Sequence, residues 1–260
     1  MRHQQILDKL AARGAVQALD WEVAHRVRQQ MYARPAAREE LACKVIIPIL
    51  ARWRCLLDGD DALPSRKNVV RVALATVLHK YGFQDADITA QAVTAIDELN
   101  RDVVLSDAFE RQSDDIKKFL SAPPLPLTRK PSVSRPTTFL RAGDVLSIEL
   151  GGRFHAAYVW GVSGFNETPR LEFYAGTFTE PPTMSDLMRR RAARPAAHAR
   201  LHVSGLTYLP DPAQQVKAVA AAYPEGPRGS ESAHGPGYTV TDVISLQQHM
   251  AALFGPAGTR

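Results

Sequence analysis

Most chemistry open to this chain is ruled out by what stands beside its reactive residues. The eight histidines are scattered. His25 and His79 fall within helical patterns, and His155 lies in an alternating run. His198 and His202 share a short stretch, but no cysteine or carboxylate accompanies them at metal-ligand spacing. No metal and no other cofactor is therefore expected. Cys43 and Cys55 are too few for a disulfide framework, and neither has a local base, so both are expected to be reduced and mostly buried. Asp58-Gly59-Asp60-Asp61 looks like a cation loop, yet an EF-hand would need a bidentate Glu where Val69 stands. Gly151-Gly152-Arg153 lacks the Lys-Ser/Thr continuation of a phosphate loop. Ser163 has Gly161 before it and Gly164 after it, but its strand runs into a turn and not into a helix, as a nucleophile elbow requires. No catalytic residue is assigned.

One charge cluster stands out. Arg189, Arg190 and Arg191 are followed by Arg194, His198 and Arg200. Guanidinium groups fit carboxylates and phosphates bidentately, so this run suits an acidic protein surface or nucleic acid. The whole chain carries 32 Lys and Arg against 27 Asp and Glu, a net charge of +5, too mild to mark a nucleic-acid protein alone. Asp107, Glu110, Asp114 and Asp115 supply a patch of the opposite sign.

The elements that must carry these residues change near residue 120. Residues 1–120 hold only 3 of the 18 prolines and 3 of the 16 glycines, so this part reads as a helical bundle domain. Apolar spacing gives helices around Ile6–Leu10, Leu19–Met31, Leu41–Leu57 (with a kink or break at Pro48), Val69–Gly82, Asp87–Leu99 and Asp107–Leu120. Residues 121–136 contain five prolines and read as an extended linker.

Residues 137–260 read as an antiparallel β domain. Leu146, Ile148 and Leu150 alternate with Val145, Ser147 and Glu149, and Gly151-Gly152 makes a hairpin turn. The chain returns through Phe154–Val162, with a third strand over Arg170–Phe178 and a fourth over Leu201–Leu209. Helices are expected over Thr183–Ala193, from Asp211-Pro212 onward, and over Asp242–Phe254. Pro224–Gly237 is expected to be a mobile loop. The fold class is α+β: a helical N-terminal domain followed by a twisted antiparallel, small barrel-like sheet with flanking helices. The longest apolar run, Val45–Ala51, falls far short of the roughly 20 residues a membrane span needs. Met1, Arg2 and His3 lead into a polar amphipathic stretch unlike a signal-peptide core, so a cytoplasmic protein with no membrane contact is expected.

Phe139–Leu150, Gly151–Gly161 and Leu171–Phe178 together resemble the opening of the immunity protein 26 family of bacterial polymorphic-toxin systems. The matching positions are Gly143, Asp144, Ile148, Leu150, Gly152, Phe154, Tyr158, Gly161, Phe173 and Tyr174, within about 40 residues of the chain. The resemblance implies an immunity or antitoxin-type protein that occludes a cognate protein toxin, and carries over no contact residues. On that reading, Arg153, His155, Glu172 and Tyr174 are expected to be exposed beside an interior of Phe154, Leu171 and Phe173. With Arg189, Arg190 and Arg191 they are the candidate partner-binding residues. Two alternatives stand beside it: a nucleic-acid-associated module using the Arg189–Arg200 cluster, and an enzyme whose site assembles around His155, Tyr158 and Trp160.

Overall fold

The computed structural model describes residues 1–32, 38–193, 199–207, 209–230 and 237–255, and the chain divides into two units, Met1–Ser134 and Arg135–Arg260. The first holds α1 (His3–Leu7), α2 (Arg13–Gln30), α3 (Arg38–Leu57), α4 (Pro64–Lys80), α5 (Ala86–Arg101), α6 (Asp107–Glu110) and α7 (Ser113–Ser121). α4 carries its charges mainly at its ends, and between Val69 and Leu78 it is buried on all sides except at Arg71, with Val69, Val70, Val72, Leu74, Val77 and Leu78 all inaccessible or nearly so. A helix with so little polar face has to be surrounded. α1, α2, α3, α5 and α7 accordingly pack against it. α5 buries a single stripe of Ile88, Ala92, Ala95, Ile96 and Leu99, and it starts at Asp85, whose carboxylate accepts from the backbone N–H of Asp87 and Ile88.

Three sequence expectations change in this unit. Of the kink or break expected at Pro48, the break is absent: α3 continues through Pro48, because Val45, Ile46, Ile49 and Trp53 on either side are buried and hold the helix against its neighbours. The last helix divides into α6 and α7. Cys43 is exposed and Cys55 half-buried, since α3 turns Val45, Ile49 and Trp53 inward and Cys43 outward, and the two cysteines form no disulfide.

Inside this unit Glu22 is buried with two donors. Arg52 Nε approaches Glu22 Oε1 at 2.7 Å and Trp53 Nε1 donates to Glu22 Oε2 at 2.8 Å, which satisfies both carboxylate oxygens. The proline-rich residues after α7 lie along the helices: Pro124 and Pro131 are buried, Trp21 Nε1 donates to the Ser134 carbonyl at 2.9 Å, and Arg28 donates to the Pro131 carbonyl at 3.3 Å.

The second unit contains β1 (Val145–Leu150), β2 (Arg153–Ser163), β3 (Thr168–Phe173), α8 (Met184–Leu187), β4 (Arg200–Ser204), β5 (Val216–Ala220), β6 (Thr239–Asp242) and α9 (Leu246–Phe254). Their order in the sheet is β5-β1-β2-β3-β4-β6. β1 turns into β2 at Gly151 and Gly152, whose φ angles of 59° and 72° suit glycine and the twist of a tight hairpin. The class is α+β, helices first and sheet second.

The sheet is open and mixed, not barrel-like and not wholly antiparallel. β6 lies parallel to β4, β5 and β6 are the sheet edges and do not pair with each other, and the chain then enters α9. Asp211-Pro212 starts no helix. The Asp211 carboxylate accepts from the N–H groups of Gln215 and Val216 at 3.1 Å, forming a side-chain-closed turn that feeds β5. The fourth strand ends at Ser204, the Thr183 helix stops at Leu187, and the final helix begins at Leu246 because residues 239–242 are taken by β6.

Breaking the Glu22 arrangement from one side should be costly, since it leaves the Arg52 charge buried without its partner. Glu22→Ala is expected to lose about 3–5 kcal/mol of stability in urea unfolding followed through the helical far-ultraviolet signal. A loss below about 0.5 kcal/mol, the scale of surface substitutions, would show that the pair contributes nothing to the helical unit.

Candidate binding face of the sheet

Strand pairing sorts the second unit's side chains onto two faces. Directly opposed residues in an antiparallel pair share a face. Tyr158 opposes Glu172, and Glu172 opposes Arg200, so these three lie together, with Tyr174 two residues further along. Ala157 opposes Phe173, and Val159 opposes Leu171, so those residues share the other face with His155.

Both faces are covered. α9 lies on the His155 face, with Leu246 and Met250 fully buried and the Phe254 ring centred 4.2 Å from His155 and 5.6 Å from Phe173. On the Tyr158 face, Val145, Ala156, Tyr158, Tyr174 and Leu187 form a buried cluster flanked by Trp160, Phe178 and Tyr223. The Tyr158 hydroxyl donates to the Tyr223 carbonyl at 2.9 Å. Gly226 lies so close to Trp160 that a Cβ there would stand 2.6 Å from the ring, so only glycine lets this loop lie flat on the indole.

The expected exposure of His155, Glu172 and Tyr174 is therefore corrected: they are 3%, 0% and 2% exposed. Of the four strand candidates, Arg153, at the hairpin, is at the surface. The expectation assumed one buried face and one wet one, whereas helices and loops close off both. The same alternation corrects the enzyme alternative. His155 sits on the opposite side of the sheet from Tyr158 and Trp160, so the three cannot share a pocket.

The Tyr158 face carries a buried ion pair. Glu172 Oε1 lies 3.0 Å from Arg200 Nε, and Glu172 Oε2 accepts from Trp160 Nε1 at 2.7 Å. Beyond it, the His202 ring meets Tyr238 edge-on at 4.8 Å, and Ser163 Oγ is 3.5 Å from His202 Nδ1. Burial, with the Arg170 charge adding to it, holds the His202 imidazole below its ordinary pKa. Burial above all, then nearby Tyr158, Tyr223 and Glu172, pushes the Tyr174 hydroxyl well above the usual tyrosine range.

Arg200 is thus an internal residue, 3% exposed, and does not belong to a surface cluster. Arg194 and His198 lie outside the described residues. Arg189, Arg190 and Arg191 are exposed, but Arg189 sits in the turn that ends α8 and Arg190 and Arg191 on the chain after it, not on a helix face. This stretch is held by backbone hydrogen bonds on two sides. Ala175 N–H donates to the Arg191 carbonyl at 2.8 Å, Arg228 N–H to the Arg190 carbonyl at 2.9 Å, and Ala192 N–H to the Arg228 carbonyl at 3.0 Å.

The pairing brings in Arg228, also exposed, from a stretch the sequence marks as a mobile loop. Of that loop, residues 231–236 lie outside the described residues; the part before them is tied at Arg228 to the chain that carries Arg190 and Arg191. No sequence signal marks Arg228, because its neighbours Pro227 and Gly229 read only as loop. Arg190 also lies over the Phe178 ring at 5.1 Å. Among the described residues, none of the four arginines forms a salt bridge with a carboxylate. Nor does any group of three or more His, Cys, Asp or Glu among those residues converge on a metal position, and no helix there is long and apolar enough to cross a membrane.

No family model, no curated protein and no solved structure matches this chain. Its function has to be argued from this geometry.

His155 supplies a pH test of the two-faced burial. Burial alone lowers its pKa from 6.5 to about 4, and its Nδ1 is buried without a hydrogen-bond partner. Between those two values the unfolded chain binds the extra proton, so stability falls as pH drops through the window and is unaffected above 6.5. Thermal unfolding should show the sheet unit losing stability from pH 6.5 toward about 5, above the range where carboxylates protonate. His155→Phe, which keeps a ring against Phe254, should reduce that slope and leave only the part that His202 contributes; an unchanged slope would place His155 in contact with water.

Proposed function

We propose that this chain is a binding protein of the immunity or antitoxin type, acting in the cytoplasm by covering the working surface of a cognate protein toxin. The observation that carries the reading is the set of four exposed arginines, Arg189, Arg190, Arg191 and Arg228, on two hydrogen-bonded segments beside Phe178. Arginine and aromatic side chains dominate the energetics of protein interfaces. A charged surface already fixed by backbone pairing loses little conformational freedom when it binds. Four like charges with no salt bridge to a carboxylate among the described residues, and only the Asp186 field near Arg190, favour an acidic counterpart, and the complementary field speeds the encounter. The resemblance of residues 139–178 to immunity protein 26 supplies the class; those residues span β1, β2 and β3, on which the arginine segment is built. Arg153 remains a candidate contact at the hairpin.

The test is a pull-down from the native host with the tagged full chain and with a variant carrying Arg189→Glu, Arg190→Glu, Arg191→Glu and Arg228→Glu. The wild type should retain one stoichiometric protein whose toxic activity disappears when the two are mixed. The variant should bind it roughly a hundredfold more weakly, with most of the loss in association rate at low salt. Nucleic acid that co-purifies and washes off with salt would instead assign the arginines to phosphate contacts. A variant that holds the same protein undiminished would remove them from the interface.

A further inference from the structure

The helical unit contains a cavity that the arginine surface does not explain. After α7, Pro123, Pro124 and Pro126 forbid both continued helix and regular strand, so the chain crosses the end of α4 as an extended strap. It seats on Gly82, where φ is +83° and a Cβ would stand 3.0 Å from the Leu125 carbonyl oxygen, a position open to glycine alone. Beneath the strap is a space of about 410 Å³ lined by residues that include His3, His79, Lys80, Phe119, Leu125 and Arg129.

Its inner wall is fixed by hydrogen bonds. His79 Nε2 lies 2.9 Å from the Ala122 carbonyl, which can only accept, so that nitrogen carries the proton. His79 Nδ1 must then accept from His3 Nε2–H at 2.8 Å. Both imidazoles meet the Phe119 ring with centroids 4.9 Å apart. Burial, with His79 and Lys80 adding to it, lowers the His3 pKa to about 4, so the His3 ring packed against Phe119 is uncharged at neutral pH.

The polar side of the cavity is cationic. No Asp or Glu lines it. Lys80 is held from behind by Asp20 at 2.7 Å, whereas Arg129 is exposed and has no carboxylate partner among the described residues. A wall of aromatic rings in a cavity that Arg129 also lines complements a ligand that is half aromatic and half anionic. The size lies within the roughly 300–1,000 Å³ of small-molecule sites.

We propose that the helical unit binds a small aromatic anion, a carboxylate or sulfonate, with its ring against Phe119 and its charge toward Arg129. The site is separate from the arginine surface and does not depend on the toxin-binding reading.

Fluorescence titration of the full chain with anilinonaphthalene sulfonate and with neutral phenylnaphthylamine tests it, alongside intermolecular nuclear Overhauser contacts from the bound ring. The expected result is saturable one-to-one binding of the sulfonate with contacts to Phe119. Arg129→Glu, an exposed change, should weaken the sulfonate roughly tenfold and leave the neutral probe unaffected. No saturable binding, equal affinity for both probes in the wild type, contacts that avoid Phe119, or an Arg129→Glu variant that binds the sulfonate normally would each overturn the proposal.

Discussion

A carboxylate buried in the middle of a sheet constrains everything placed around it. Glu172 is wholly inaccessible and survives there because Arg200 neutralises it and Trp160 occupies its second oxygen. These three residues come from β3, β4 and β2, so one carboxylate ties together three adjacent strands, β4 through the ion pair and β2 through the indole hydrogen bond. A slip of β3 by one residue would turn Glu172 onto the His155 face, away from both donors. The helical unit solves the same problem with the same residue types, since Glu22 accepts from Arg52 and from Trp53. In each case the acid is satisfied on both oxygens by an arginine and an indole.

Drawing Arg200 inward also decides which arginines remain outside. The sequence offers one long basic run, but the fold divides it. Arg200 neutralises an internal acid, while Arg189, Arg190 and Arg191 stay at the surface and gain Arg228 from a distant stretch of chain. Under the proposed function the division separates the residue that holds the face together from those that meet the partner. Substitutions at the two kinds of position should then fail differently, the first by loss of structure and the second by loss of binding alone.

Much of the architecture is legible in the residue order because it depends on local chemistry. The scarcity of proline and glycine before residue 120 marks the helical part, the apolar spacing of residues such as Val69, Val72 and Leu99 marks individual helices, and Gly151-Gly152 marks the first hairpin. What escapes the sequence depends on distant partners. Asp211-Pro212-Ala213-Gln214 carries the chemistry of a helix start, yet the same carboxylate closes a turn when β1 offers Val216 a strand to join. Alternation separates His155 from Tyr158 correctly, but it cannot say that α9 will cover the first and the Tyr223–Arg228 loop the second. Glu172 and Tyr174 therefore look like surface residues until both layers are present. Arg228 becomes visible only through its backbone pairing with Arg190 and Ala192.

The most direct test of the organising role of Glu172 is a double-mutant cycle on Glu172 and Arg200, read by native-state hydrogen exchange of the β2, β3 and β4 amides. Glu172→Leu and Arg200→Met alone should each lower the opening free energy of these strands by about 3–5 kcal/mol, because each leaves a buried charge without its partner. Together they should cost far less than the sum, since the apolar pair leaves no charge behind. Two single losses that simply add would mean that the ion pair does not hold the strands in register and that the arginine surface is supported by something else.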